Sequence, residues 1–246
     1  MQLPQAFLIA LQFLTALPVH LTSVPDARSI GRSLLYYPVV GLCIGALLAT
    51  IAWLLGNPPP LIGAAIIICA WVIITGALHL DGLADSADAW MGGLGNRERT
   101  LEIMKDPNCG PIAVVTLLLT LLLKFTALTE ILASHQSIAL IMVPVLGRSA
   151  LILLFLSTDY VRPQGIGSDL VRHLPRKEAM WVIAVVILAT LVSTGATAIP
   201  LLIVIAATFL LLRRLMLKRL EGTTGDTAGA MLEIVETAAV LSFALQ

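Results

Sequence analysis

From residue 34 onward the chain is a succession of apolar runs, most of them near the length of a membrane crossing, separated by short polar breaks. A helix crossing the hydrocarbon layer needs roughly 20 residues. Residues 34–55, 61–78, 111–133, 138–156 and 229–245 meet or approach that length. Residues 180–212 are too long for one crossing, about 50 Å at the rise of an α-helix. Gly195 and Pro200 predict a hairpin that divides them near 195 and 198. The runs are continuous rather than alternating, which disfavours a transmembrane barrel. The fold class is therefore all-α: a polytopic helical bundle of about seven transmembrane helices, with a short apolar segment at 5–18. No internal repeat is visible, and residues 1–246 read as a single membrane domain.

Composition agrees with that reading. Hydrophobic residues make up 58% and charged residues 12%, against ~25% charged in soluble domains, so there is too little polar surface to clothe a soluble fold. The 15 basic and 15 acidic residues cancel, which argues against a nucleic-acid partner. The opening MQLPQAFLIA has no basic stretch and does not read as a cleaved signal peptide. Cys43, Cys69 and Cys109 form no CxxC and read as small buried hydrophobes.

Charge assigns the sides. The breaks at 56–60, 134–137 and 195–199 hold no Lys or Arg, whereas the loops at 19–33, 79–110, 157–179 and 213–228 hold thirteen of the fifteen. The two sets alternate along the chain, so the positive-inside rule puts the charged set in the cytoplasm. Twelve of the fifteen acids fall in the same loops. Polar chemistry is expected on that face, around 79–110, 157–179 and 213–228.

Three polar islands carry it. In His79-Leu80-Asp81-Gly82-Leu83-Ala84-Asp85-Ser86-Ala87-Asp88 the aspartates are four and three apart and share one helical face. Stacked like charges repel, and the cost grows near a bilayer, so a cation is expected among them. Oxygen-only donors select a hard ion, Mg²⁺ above all beside phosphates. Glu98, Glu102 and Asp106 repeat the pattern at four and four. Glu98 reads as a solvated helix face, Glu102 and Asp106 as neighbours of the site. The third island is Thr223-Thr224-Gly225-Asp226-Thr227-Ala228-Gly229, with Glu233 seven residues beyond Asp226 on the same face. Asp226 suits either a helix cap or a ligand, and Glu233 an intramembrane functional acid. Lys124 and Arg148, inside apolar runs, suit pairing with acids or with phosphate. The basic loop with Arg162, Gly165, Gly167, Arg172, His173, Arg176 and Lys177 suits phosphate or lipid headgroups.

The HLDGLADSADA block at 79–89, the RxxEIMKD pattern at 99–106 and TGDTAGA at 224–230 resemble the cobalamin synthase family (adenosylcobinamide-GDP ribazoletransferase). So do the Leu17-Pro18-Val19 stretch and Tyr37-Pro38-Val39-Val40-Gly41. The likeness covers essentially the whole chain, with a departure at Pro107–Pro111 that leaves Cys109 without a role. It implies a late step of coenzyme B12 assembly at the bacterial inner membrane. There α-ribazole or α-ribazole 5′-phosphate attacks adenosylcobinamide-GDP, GMP leaves, and Mg²⁺ is required. On that reading Asp81, Asp85 and His79 are the catalytic candidates. The metal candidates are Asp81, Asp85, Asp88, Glu102 and Asp106. Arg99, Lys105, Lys124, Arg148, Thr224, Gly225, Asp226 and Glu233 are assigned to substrate. Membrane lipid is the other expected partner, and a homo-oligomer or association with other B12-assembly enzymes stays open. Two rivals are weighed. A CDP-alcohol phosphotransferase would carry an Arg after its DGxxA, where this chain has Asp85. A secondary transporter would carry repeated halves and midplane acids.

Overall fold

A computed structural model describes residues 4–21, 24–163 and 166–246. Gly165 of the basic loop lies outside them. Among the described residues twelve α-helices run in order: α1 Gln5–Leu14, α2 Ala27–Ser33, α3 Tyr37–Leu54, α4 Pro60–Thr75, α5 Leu78–Gly92, α6 Arg97–Ile103, α7 Pro111–Ala133, α8 Ser137–Ser157, α9 Ile166–Arg172, α10 Arg176–Thr194, α11 Ala198–Leu220 and α12 Gly225–Ala244. Among the described residues there is no sheet; one isolated bridge pairs Tyr160 with Thr223.

Among the described residues five stretches are long and apolar enough to cross a membrane, and six if the bent pair α4–α5 counts as one. One of these, Arg176–Leu220, is 45 residues long. It breaks at Gly195, whose φ of +61° and ψ of −133° end α10, so about seven crossings remain the reading. Pro200 sits in the first turn of α11 rather than at the break, where its missing N–H costs no hydrogen bond.

The helices sort into inner and outer. In the crossing windows of α8 and α12, 83% and 78% of residues are buried. For α7 the share is 28% and for Arg176–Leu220 it is 17%. Large apolar side chains such as Leu118, Leu122, Val192 and Leu211 face outward, as they do in helices that face lipid rather than water. Small residues let the inner helices touch. A Cβ on Gly41 would meet Pro144 O at 2.5 Å, and one on Gly45 would meet Ile141 Cα at 2.6 Å. That is small-residue packing of α3 on α8.

The feature that positions the site is the break after α4. Gly76 caps α4 in the left-handed region, and Ala77 follows at φ +56°. The next helix, α5, turns away by 88°. The span expected over 61–78 therefore stops at Thr75. The three aspartates ride on a separate helix lying across α12 and α7.

Candidate active site

The first and third polar islands form one packing unit. A Cβ on Gly82 would stand 2.8 Å from Asp226 O and 3.1 Å from its Cα; a Cβ on Gly229 would stand 3.3 Å from both Cα and O of His79. Glycine on each helix lets α5 and α12 approach backbone to backbone. This contact carries Asp81 and Asp85 to the start of α12, beside Asp226. Two cavities flank the contact. One, of about 220 Å³, is lined by His79, Asp81, Gly225 and Asp226 with aromatic side chains. The other, of about 290 Å³, is lined by Asp81, Asp85 and Asp88 against Pro107–Cys109. Asp81 borders both. A larger cavity of about 450 Å³ lies at the far ends of α4 and α7, and its lining includes no Asp, Glu, Lys or Arg.

The three aspartates share a face, as their spacing predicts, but their surroundings differ. Asp81 is exposed and Asp85 half-buried. Asp88 caps α7 instead: its Oδ2 accepts the Gly110 N–H at 2.6 Å and its Oδ1 the Ala113 N–H at 2.9 Å. Both oxygens are committed to the positive end of a helix, so its expected metal role gives way to positioning α7. Asp226 is no cap. That role belongs to Thr224, whose side chain accepts from Thr227 N while Thr227 returns a bond to Thr224 N. Thr224 is fully buried in this box, which corrects its assignment to substrate. Gly225 is exposed beside the Tyr160 hydroxyl. Asp226 pairs with Arg162, Nη2 to Oδ2 at 2.6 Å. The isolated bridge of Tyr160 with Thr223 makes this pairing: Thr223 N donates to Asp159 O and Val161 N to Thr223 O.

The second island lines neither of the two cavities bordered by Asp81. α6 ends at Ile103, so Asp106 leaves the face of Glu98 and Glu102. Glu102 is exposed and pairs with Arg99 at 2.8 Å. Asp106 accepts from Asn108 N–H and its side-chain amide, which hold its carboxyl below the ordinary range. Lys105 is exposed. The turn at Gly93 packs on Thr100.

Lys124, Arg148 and Glu233, assigned to substrate from the sequence, join one buried ion cluster through Glu236. Lys124 Nζ contacts Glu233 at 2.5 Å and Glu236 at 3.0 Å, and Arg148 pairs with Glu236. All four side chains are buried. Two cations face two anions, and Lys124 also lies 4.8 Å from the Trp71 ring centre. This balanced cluster fastens α7, α8 and α12 under the site. His79 is buried above it, and among the described residues neither ring nitrogen is hydrogen-bonded. Of the basic loop, Arg162 reaches the site, while Arg176 donates to Leu156 O at the end of α8. Cys69 and Cys109 are exposed and Cys43 is half-buried, which corrects the buried reading for all three.

Sequence reasoning missed two neighbours of the site, Tyr160 and Tyr37. Tyr160 arrives through the pairing with Thr223 across 63 positions, which no local pattern reveals. Tyr37 stood in the YPVVG block, whose likeness to a family was the only signal.

A bundle of apolar helices with carboxylates gathered at one end around two small cavities defines a helical protein of the multi-pass membrane kind. The chain belongs to the cobalamin-5-phosphate synthase family, whose model matches residues 6–244. It is 57% identical over 239 residues to an adenosylcobinamide-GDP ribazoletransferase of Stutzerimonas stutzeri (strain A1501), covering 97% of each chain. Proteins of the same name from Pseudomonas savastanoi pv. phaseolicola and Pseudomonas fluorescens (strain Pf0-1) are 53% and 54% identical; the matches cover 97% and 96% of this chain and 98% of each relative. No solved structure matches the chain.

Proposed function

We propose that this chain transfers the adenosylcobinamide-phosphate group of adenosylcobinamide-GDP to a hydroxyl of α-ribazole or its 5′-phosphate, with release of GMP. The observation that carries the reading is the glycine contact of α5 with α12. It puts Asp81 on the border of two cavities, one able to hold an acceptor and the other a diphosphate. Family membership and the relatives' names supply the substrates.

Among the described residues no group of three His, Cys, Asp or Glu is close enough to hold a metal. Mg²⁺ beside phosphates needs only one or two carboxylates, because phosphate and water oxygens fill the other positions. Asp81 and Asp85, an all-oxygen pair on one helix face, fit that demand and would hold the ion. When bound, Mg²⁺ supplies positive charge to the transferring phosphoryl group and the departing GMP. Asp226, on the rim of the smaller cavity, takes the proton of the attacking sugar hydroxyl, a role worth roughly 10²–10⁴ in rate. Arg162 holds Asp226 in place and offers its remaining N–H groups to phosphate. We further place this end of the bundle on the cytoplasmic side of the bacterial inner membrane, where the positive-inside pattern puts it.

The test is turnover. Purified protein in liposomes, given adenosylcobinamide-GDP, α-ribazole and Mg²⁺, releases GMP and forms a cobalamin in equal amounts. No product, with a related enzyme active in parallel, overturns the reading.

A further inference from the structure

The smaller cavity has a composition that its carboxylate rim does not explain. Four aromatic rings form its walls: Phe13, Tyr37, Phe155 and Tyr160. Phe13 and Tyr37 stack at 6.5 Å with planes 22° apart, and Phe155 and Tyr160 meet edge to face. Within this apolar shell two polar side chains are buried without a hydrogen bond among the described residues. Tyr37 is fully buried and its hydroxyl has no partner; His79 is 4% exposed and neither ring nitrogen has one. An unmet buried donor or acceptor is costly, and protein interiors leave few of them. Two in the lining of one cavity, on helices α3 and α5, point to a ligand that meets them.

The lining describes that ligand. Stacked rings favour a flat aromatic system. The tyrosine hydroxyl and imidazole call for a ring nitrogen or similar polar atom in its plane. Asp81, Asp226 and Gly225 at the rim suit sugar hydroxyls, which donate to carboxylates. The volume, about 220 Å³, falls short of the ~300 Å³ at which pockets for drug-sized ligands begin. It admits one fused bicyclic ring and excludes a corrin macrocycle. We propose that this cavity binds the aromatic base of the nucleoside acceptor. Tyr37 hydrogen-bonds a base nitrogen, His79 meets a second polar atom of the nucleoside, and the ribose is delivered to Asp81 and Asp226. The proposal rests on the ribazole-transfer reading above and assigns the residues that select the base.

Kinetics of the full chain in liposomes separate the two ideas. Tyr37→Phe keeps the ring and removes the hydroxyl. It should raise the KM for α-ribazole about tenfold while the KM for adenosylcobinamide-GDP stays within twofold. Ala228→Leu narrows the same cavity and should do likewise. An active wild type whose variants keep the acceptor KM, or raise both KM values equally, overturns the base site and leaves the reaction standing. An inactive wild type overturns the reaction itself. A measurement on the unaltered protein guards against variants that fail to insert. An azidobenzimidazole ribonucleoside, photolysed on the wild type, should attach to peptides bearing Tyr37, Phe155 or Tyr160, and excess α-ribazole should suppress it. Attachment confined to other peptides overturns the proposal.

Discussion

Gly82→Ala tests the geometry that makes the site. The new Cβ would lie 2.8 Å from Asp226 O, 3.1 Å from its Cα and 3.3 Å from its carbonyl carbon, where ordinary contact begins at 3.4 Å. All three obstacles are backbone, so no side chain can swing aside, and α5 must back away from α12 by about 0.6 Å. Overpacking of this kind costs typically 1–3 kcal/mol of stability. The effect on rate should be larger than the effect on stability, because the displacement separates Asp81 and Asp85 from Asp226. A misplacement near 1 Å at a reacting centre costs on the order of 100-fold. Gly41→Ala is the matched control. Its Cβ would meet Pro144 O at 2.5 Å, a closer clash than at Gly82, but between α3 and α8, away from the three carboxylates. Melting temperature in detergent and kcat in liposomes are measured for both. Gly82→Ala should lose ten- to a hundredfold in kcat at a modest loss of melting temperature. Gly41→Ala should lose stability with kcat within about threefold. Wild-type kcat in Gly82→Ala, or an equal fall in both, would refute the claim that this contact sets the site.

Three further outcomes follow from the same structure. Asp226→Asn keeps the Thr224 cap and should insert and fold normally while losing at least ~100-fold in rate, about 2.7 kcal/mol of barrier; full activity would reduce Asp226 to a partner of Arg162. Lys124→Met strands Glu233, leaving Glu236 to Arg148 alone, and should destabilise the bundle by roughly 3–5 kcal/mol, read as a fall in melting temperature and in membrane yield; an unchanged melting temperature would remove the cluster from the account of stability. In a background without the native cysteines, Asn96→Cys should escape an impermeant thiol reagent in intact cells and Gln136→Cys should be labelled; the reverse pattern would invert the proposed orientation.

The sequence was most informative where chemistry and packing coincide in a short stretch. HLDGLAD and TGDTAGA each hold both the carboxylates and the glycine that lets the helices touch, so the site's two halves were visible. The bend that separates α4 from α5 was not, because it depends on Ala77 taking a left-handed conformation that its residue type disfavours. Partners distant in the chain were likewise hidden. Asp88 reads as a third metal ligand until α7 arrives with Gly110 and Ala113 to occupy it, and Asp226 reads as either a cap or a ligand until Thr224 takes the cap and Arg162 appears across 64 positions. Lys124, Arg148 and Glu233 were recognisable as charges in need of company. Spacing alone did not say that their company would be each other and Glu236. Glu102 and Asp106 followed a helical pattern that stops at Ile103.

The central claim is that the carboxylates at the α5–α12 contact perform the phosphoryl transfer, and its most direct test is a side-by-side rate. Wild type and Asp81→Asn, reconstituted at equal density with a common melting temperature as the check on folding, receive adenosylcobinamide-GDP, α-ribazole and Mg²⁺, and GMP is followed over time. The account predicts steady GMP release by the wild type and a rate at least ~100-fold lower for Asp81→Asn, about 2.7 kcal/mol of lost barrier reduction. Wild-type release of GMP by Asp81→Asn would contradict it.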